Sequence, residues 1–377
     1  MAAAAEPSLP GAADYFSADY AQARARFRAA ARAAGAALHE LPIDARAPSG
    51  GELTIDIAWL GSRQPLQVLL HTSGLHGVEA FAGSAVQLCL LDRAPAISGD
   101  CAVILVHALN PYGMAWLRRT NESNVDLNRN FLGGDESWSG AAGVYSAIDH
   151  FLNPPSPPGF DFFRLHAAWH ALRHGFYPLQ QAVAQGQYEF PRGLFFGGKR
   201  LEQGPRIYLD WIKQNVSCAK YLFALDVHTG LGRWGSETLI AESGAGATPP
   251  ATLCAALKQP QIVAARHGSA TYAIRGGMGG ILPDTLPATR IDFLLQELGT
   301  YPPIHVFHAL REENRWHYHG HGDTNLKHPA KLRLREALCP AAPDWRRQAV
   351  KLGAGLAYAA ANWTFRQENQ AHDLRTL

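Results

Sequence analysis

The chain has 377 residues, 47% hydrophobic and 18% charged, with a formal net charge of +2. That length can bury a large core, and the near-balanced charge without a basic block gives no sign of nucleic acid or an anionic membrane as a partner. The five cysteines, Cys89, Cys101, Cys218, Cys254 and Cys339, are odd in number and lack paired spacing, which fits a reducing, cytoplasmic setting rather than a disulfide scaffold or a structural metal cluster.

The first twenty residues show neither the basic leader nor the apolar stretch of a secretion signal, and no apolar run approaches a membrane span. The alanine- and arginine-rich segment that follows predicts a helix over about 17–34, with Ser17 as its cap and Gly35 as its stop. Strands are expected at 52–60 and 66–71, and a helix at 80–92. Further strands are expected at 101–108, 220–227, 236–242 and 289–297, with helices at 249–267 and 345–365. Strands alternating with helices imply an α/β fold, a mixed, mostly parallel sheet covered by helices on both faces. The expectation is one domain over 1–377, interrupted by an insertion at about 132–215. The insertion holds a turn-rich break at 153–159 and a helical stretch at 164–176, and is expected to wall a cleft. Residues 305–328 hold six histidines, read as solvated or hydrogen-bonded imidazoles on a helix and loop.

The chemistry-bearing signal lies where the apolar run 66–71 ends. His76 and Glu79 stand there as His-x-x-Glu, and His228 follows another apolar run 149 positions after Glu79. A close pair of nitrogen and oxygen donors plus one distant histidine, each at a strand end, is the spacing of a catalytic zinc site that keeps one position open. In a mostly parallel sheet, ligands bind outside the carboxyl ends of the strands. His71 and His107 lie in or beside apolar runs and read as packed histidines.

A third segment adds specificity. Asn110 to Gly113 is Asn-Pro-Tyr-Gly, Arg119 and Asn121 follow, and residues 125–131 read Val-Asp-Leu-Asn-Arg-Asn-Phe. With Glu297 in the apolar run before Leu298 and Tyr272 four residues before Gly276, the chain resembles the zinc metallocarboxypeptidases, the carboxypeptidase A superfamily, over roughly residues 50–310. The Asp-Leu-Asn-Arg-Asn-Phe run is the most specific part of the match and the tyrosine segment the loosest.

The resemblance implies one zinc per chain on His76, Glu79 and His228. It implies Glu297 as general base and then acid, and Arg119 as the oxyanion stabiliser, with Arg118 as its competitor for that role. Asn128 and Arg129 would bind a substrate carboxylate, and Tyr272 would close over the substrate. The activity implied is hydrolysis of an amide next to a free carboxylate, in a peptide or an acyl amino acid. A carboxypeptidase is the simplest form. The alternatives are a deacylase resembling aspartoacylase or succinylglutamate desuccinylase, and a binding protein that has lost catalysis. Arg275, just before the Gly-Gly pair, hints at an anionic substrate.

Overall fold

The computed structural model describes residues 11–134, 136–242, 246–264, 274–320 and 325–373. Eight strands form one sheet: β1 (Ala37–Arg46), β2 (Glu52–Gly61), β3 (Gln67–Ser73), β4 (Cys101–His107), β5 (Tyr221–Thr229), β6 (Glu237–Glu242), β7 (Val263–Ala264) and β8 (Arg290–Leu298). Their order is β1-β2-β4-β3-β5-β8-β6-β7. The central strands β4, β3, β5 and β8 run parallel, while β1, β2 and β6 join antiparallel to their inner neighbours. The expected mixed, mostly parallel sheet is what the chain forms.

Alternation along the strands explains why both faces are covered. On one face Leu69, Val103, Phe223, Leu225 and Leu294 pack under three helices: α1 (Tyr20–Ala33), α2 (Ala80–Asp92) and α12 (Pro343–Asp373). On the other, Val68, Leu70, Ile104, Leu222, Ala224, Phe293 and Leu295 pack under α7 (Gln203–Val216) and α9 (Met278–Thr285). Central strands buried on both sides therefore read as unbroken apolar runs, which is why the sequence marks them well.

Several expectations shift. The cap of α1 is Asp19, whose carboxylate accepts from Gln22 N at 2.8 Å, rather than Ser17. β1 carries no apolar run, because an edge strand with Pro42 needs only one dry side. The helix expected over 249–267 ends as α8 (Pro250–Leu257): Lys258 turns left-handed at φ 55° and Pro260 follows. The stretch expected as an insertion ends with α7, whose Tyr208, Trp211, Ile212 and Val216 pack directly on the sheet, so α7 belongs to its cover. The remainder forms α4 (Gly143–Leu152), α5 (Phe163–His174) and α6 (Phe176–Ala184), standing above the strand ends. The histidine-rich stretch lies on α10 (Pro303–His319) and at the start of α11 (Pro329–Leu338), where His328 caps the helix by accepting from Ala330 N; His321 lies outside the described residues.

Candidate metal centre and cleft

β3 ends at Ser73, and the next six residues turn the chain into α2. Two glycines make that turn possible. Gly74 sits at φ 71°, and a Cβ on Gly77 would lie 2.0 Å from the Gly113 backbone. The Asn-Pro-Tyr-Gly turn, which opens the short helix α3 (Pro111–Ala115), is thus the platform under the loop. Gly77 N and Val78 N donate to the carbonyls of Arg119 and Arg118. Held this way, His76 and Glu79 face the end of β5, where His228 stands.

Three donors converge, all buried. His76 Nδ1 lies 3.0 Å from Glu79 Oε1, His228 Nδ1 lies 3.3 Å from Glu79 Oε2, and the two Nδ1 atoms are 3.0 Å apart. A tetrahedron with bonds of about 2.0–2.1 Å has edges of about 3.3–3.4 Å, so this spacing suits one zinc ion. The protonation pattern suits it too. His76 Nε2 faces Asp126 Oδ1 at 3.0 Å and His228 Nε2 faces Asp226 Oδ2 at 2.6 Å. A carboxylate fixes the proton on Nε2 and leaves the Nδ1 lone pair turned inward. Two inward lone pairs at this distance repel unless a proton or a cation lies between them. Among the described residues this is the one group of three or more donors close enough to share a metal ion.

The charges around the group are strongly shifted. Burial alone would raise the Glu79 carboxyl, but His76, His228 and Arg119 outweigh it and hold the carboxyl well below its usual range. Asp126 likewise stays ionised against its burial, chiefly through Arg119 and His76. His228 moves the other way: burial opposes its charge, yet Asp226 and Glu79 raise it well above the ordinary imidazole value.

Glu297 reaches the same place through register. β5 and β8 are parallel neighbours with His228 opposite Glu297. Burial lifts the Glu297 carboxyl to about 7, against the pull of His228, so it can exchange a proton near neutrality. Arg119 lines the cleft and donates from Nη1 to Glu79 and from Nε to Asp126, both at 3.0 Å. Arg118, the competitor, points away into a buried network with Glu313, Asn124 and Asn314. Asn128 and Arg129 also line the cleft. The Arg129 guanidinium is held by carbonyls, Ala184 at the end of α6 and its neighbour Asn128; among the described residues no carboxylate forms an ion pair with it, although Asp126 and Glu242 are near enough to act on its charge. Tyr272 lies outside the described residues. Arg275 is not in the cleft: it donates to Ser137 and Ser139 carbonyls and stacks over Tyr188.

The cleft itself is a cavity of about 830 Å³. Arg164, Gln180 and His305 line it as well as the polar residues around the metal group, and α4, α5 and α6 supply apolar walls such as Phe151, Ala171, Leu179 and Val183. One acid in it was not anticipated. Glu242 ends β6, on the cavity-facing side of the sheet with Ile240, Leu295 and Glu297. Burial, reinforced by Asp226, lifts its carboxyl to about 7. A terminal acid on a strand gives no sequence signal of its own, whereas Asp226 did carry one, because residues two apart on a strand share a face.

A family model described as a protein of unknown function, DUF2817, matches residues 16–352. The chain belongs to that family. Bovine thrombin-activatable fibrinolysis inhibitor, solved in complex with tick carboxypeptidase inhibitor, is similar in structure, with a TM-score of 0.50 at 9% identity over 94% of this chain and 99% of that one. Carboxypeptidase A from Helicoverpa armigera gives 0.45 at 14% identity, covering 90% of this chain and 73% of the other. A metallo-carboxypeptidase from Burkholderia cenocepacia gives 0.44 at 12% identity, covering 93% and 70%. No curated protein matches the sequence. The fold is zinc carboxypeptidase-like. Among the described residues no helix is long and apolar enough to cross a membrane.

Proposed function

We propose that this protein is a zinc-dependent hydrolase that cleaves an amide bond next to a free carboxylate, in its simplest form a metallocarboxypeptidase. The observation that carries the reading is the convergence of His76, Glu79 and His228, each donor turned inward, with Glu297 brought alongside by strand register. His76, Glu79 and His228 would hold a zinc ion, which would supply Lewis acidity and lower the pKa of a bound water.

The protein residues divide the rest of the work. Glu297, poised near neutrality, takes a proton from the attacking water and returns it to the leaving nitrogen. Arg119 has donors left beyond those used on Glu79 and Asp126, and these meet the oxyanion that develops on the scissile carbonyl. Asn128 and Arg129 lie at the same end of the cleft and bind the substrate carboxylate; the guanidinium keeps N–H groups beyond those given to the Ala184 and Asn128 carbonyls. The apolar walls exclude water, which strengthens each of these interactions.

The test pairs a metal determination with a matched substrate set. Purified protein is expected to carry about one zinc per chain and to lose it in His228→Ala. Peptides with a free C-terminal carboxylate are expected to be cleaved about 30- to 1,000-fold faster than their C-terminal amides, the equivalent of about 2–4 kcal/mol for a charge-assisted pair. Arg129→Met should slow only the acid and Arg119→Met both forms. Equal rates for acid and amide on the unaltered protein would reject the carboxypeptidase reading, and cleavage confined to N-acyl amino acids would move the assignment to a deacylase.

A further inference from the structure

The cavity walls have an outer side, and it is unusually apolar. Leu165, Trp169 and Leu172 follow one another at helical spacing along α5 and are 67%, 53% and 87% exposed. Phe160 and Phe162 precede them at 88% and 57%, and Phe176 and Tyr177 continue the surface at 62% and 73%. Scattered single apolar residues are normal on a surface, but seven large exposed ones within residues 160–177 mark a contact surface.

The charge on this face is largely of one sign, with Asp161 the one acid between residues 160 and 188. Residues 162–188 contain no Asp or Glu, and α5 presents Arg164 and Arg173 in solvent, the latter stacked over Trp169. Beside Phe160 and Phe162 opens a groove of about 760 Å³, lined by Arg164, Arg333 and the histidines His305, His308 and His328. Two acids also line it, Asp161 and Glu312. Both are consumed by Arg311 and Arg315, at 2.6–3.2 Å. Among the described residues no carboxylate pairs with Arg164, Arg173 or Arg333. Facing a second copy of itself, this surface would set cation against cation. Aromatic and aliphatic tips flanked by arginines without a carboxylate partner fit a different occupant, because an interfacial helix buries its apolar face at the headgroup boundary and holds anionic lipid with its basic residues.

We propose that the face built from residues 160–177, with the basic groove beside it, docks this protein peripherally on an anionic lipid surface. This departs from the expectation from composition that no membrane is a partner, since an overall charge of +2 hides a local excess. It is independent of the hydrolytic reading. One consequence is geometric: Arg164, Ala168, Ala171 and Phe176 also line the 830 Å³ cavity, so the docked segment is also part of the cavity wall.

The experiment is co-sedimentation of the full chain with vesicles of phosphatidylcholine alone or with about 30% phosphatidylglycerol. Binding is expected on the anionic vesicles, weak on the neutral ones, and largely lost in about 0.5 M salt. The double variant Trp169→Glu with Leu172→Glu should reduce partitioning at least about tenfold. Arg173→Gln and Arg333→Gln, surface changes that spare the fold, should each reduce it about fivefold on anionic vesicles and leave neutral vesicles unchanged. Sedimentation velocity without lipid accompanies both. Failure of the unaltered protein to bind anionic vesicles overturns the proposal, as does binding that ignores both sets of substitutions. A dimer that the glutamate pair dissociates also overturns it, since the patch would then serve a second copy.

Discussion

Asp126→Asn tests the metal centre through a residue that is not itself a ligand. Asp126 is fully buried and joins three things: His76 Nε2 at 3.0 Å, Arg119 Nε at 3.0 Å and the backbone of Asn128 at 3.0 Å. Asparagine has nearly the same shape and its oxygen can still accept from one of these groups. What it removes is the negative charge that fixes the proton of His76 on Nε2 and balances Arg119. Loss of such a supporting carboxylate weakens metal binding about 10- to 100-fold, or about 1.4–2.7 kcal/mol. Competition with a chromophoric chelator reads that range directly. Asp226→Asn, which removes the equivalent partner of His228, is expected to fall within it too. Asp56→Asn supplies the control: Asp56 is equally buried but pairs with Arg28 under α1, so it should cost stability and leave zinc affinity alone. If Asp126→Asn remains folded by circular dichroism and binds zinc as tightly as the unaltered protein, the inward-facing Nδ1 arrangement is not what holds the ion.

Further outcomes follow from the same geometry. Glu297→Gln should keep zinc and substrate affinity while kcat falls by about 10² or more, and an unchanged kcat removes Glu297 from the chemistry. Glu242→Gln should change the ranking of substrates by the charge of their terminal side chain, with basic ones losing most; an unaltered ranking would show that this buried acid does not contact substrate. Glu313→Ala should destabilise the fold by about 3–5 kcal/mol, seen as a lower denaturant midpoint, because Arg118 and Lys331 remain buried beside the vacated site. Stability should also fall with acid. His71 and His107 are held neutral by burial, with values lowered to about 4, whereas the unfolded chain binds protons from about 6.5 downward. The unfolded state therefore gains protons first, and each histidine removes up to about 3 kcal/mol as pH falls from 6.5 towards 4. His107→Leu should flatten that decline in urea melts, and an unchanged slope would refute the assignment.

The sequence by itself determined the central strands, because a strand buried on both faces must be apolar throughout, and it marked the donors His76, Glu79 and His228 because each interrupts or follows such a run. The Val-Asp-Leu-Asn-Arg-Asn-Phe segment was legible for the same reason that motifs generally are: many polar residues crowd into a stretch too short for chance. What only the tertiary structure decided concerns side chains whose neighbours are distant in sequence. Arg118 and Arg119 are adjacent in the chain, yet one meets Glu313 in the interior and the other meets Glu79 at the cleft. Glu242 became a cavity acid only because β6 lies antiparallel against β8, and Arg129 gained its carbonyl partners only when α6 settled above the strand ends. The apolar outer face of α5 was equally hidden, since leucine and tryptophan at helical spacing read as core until the packing shows which side the helix turns to the sheet. Local pattern encodes how dry a residue must be; which group it then meets is set by how the elements pack.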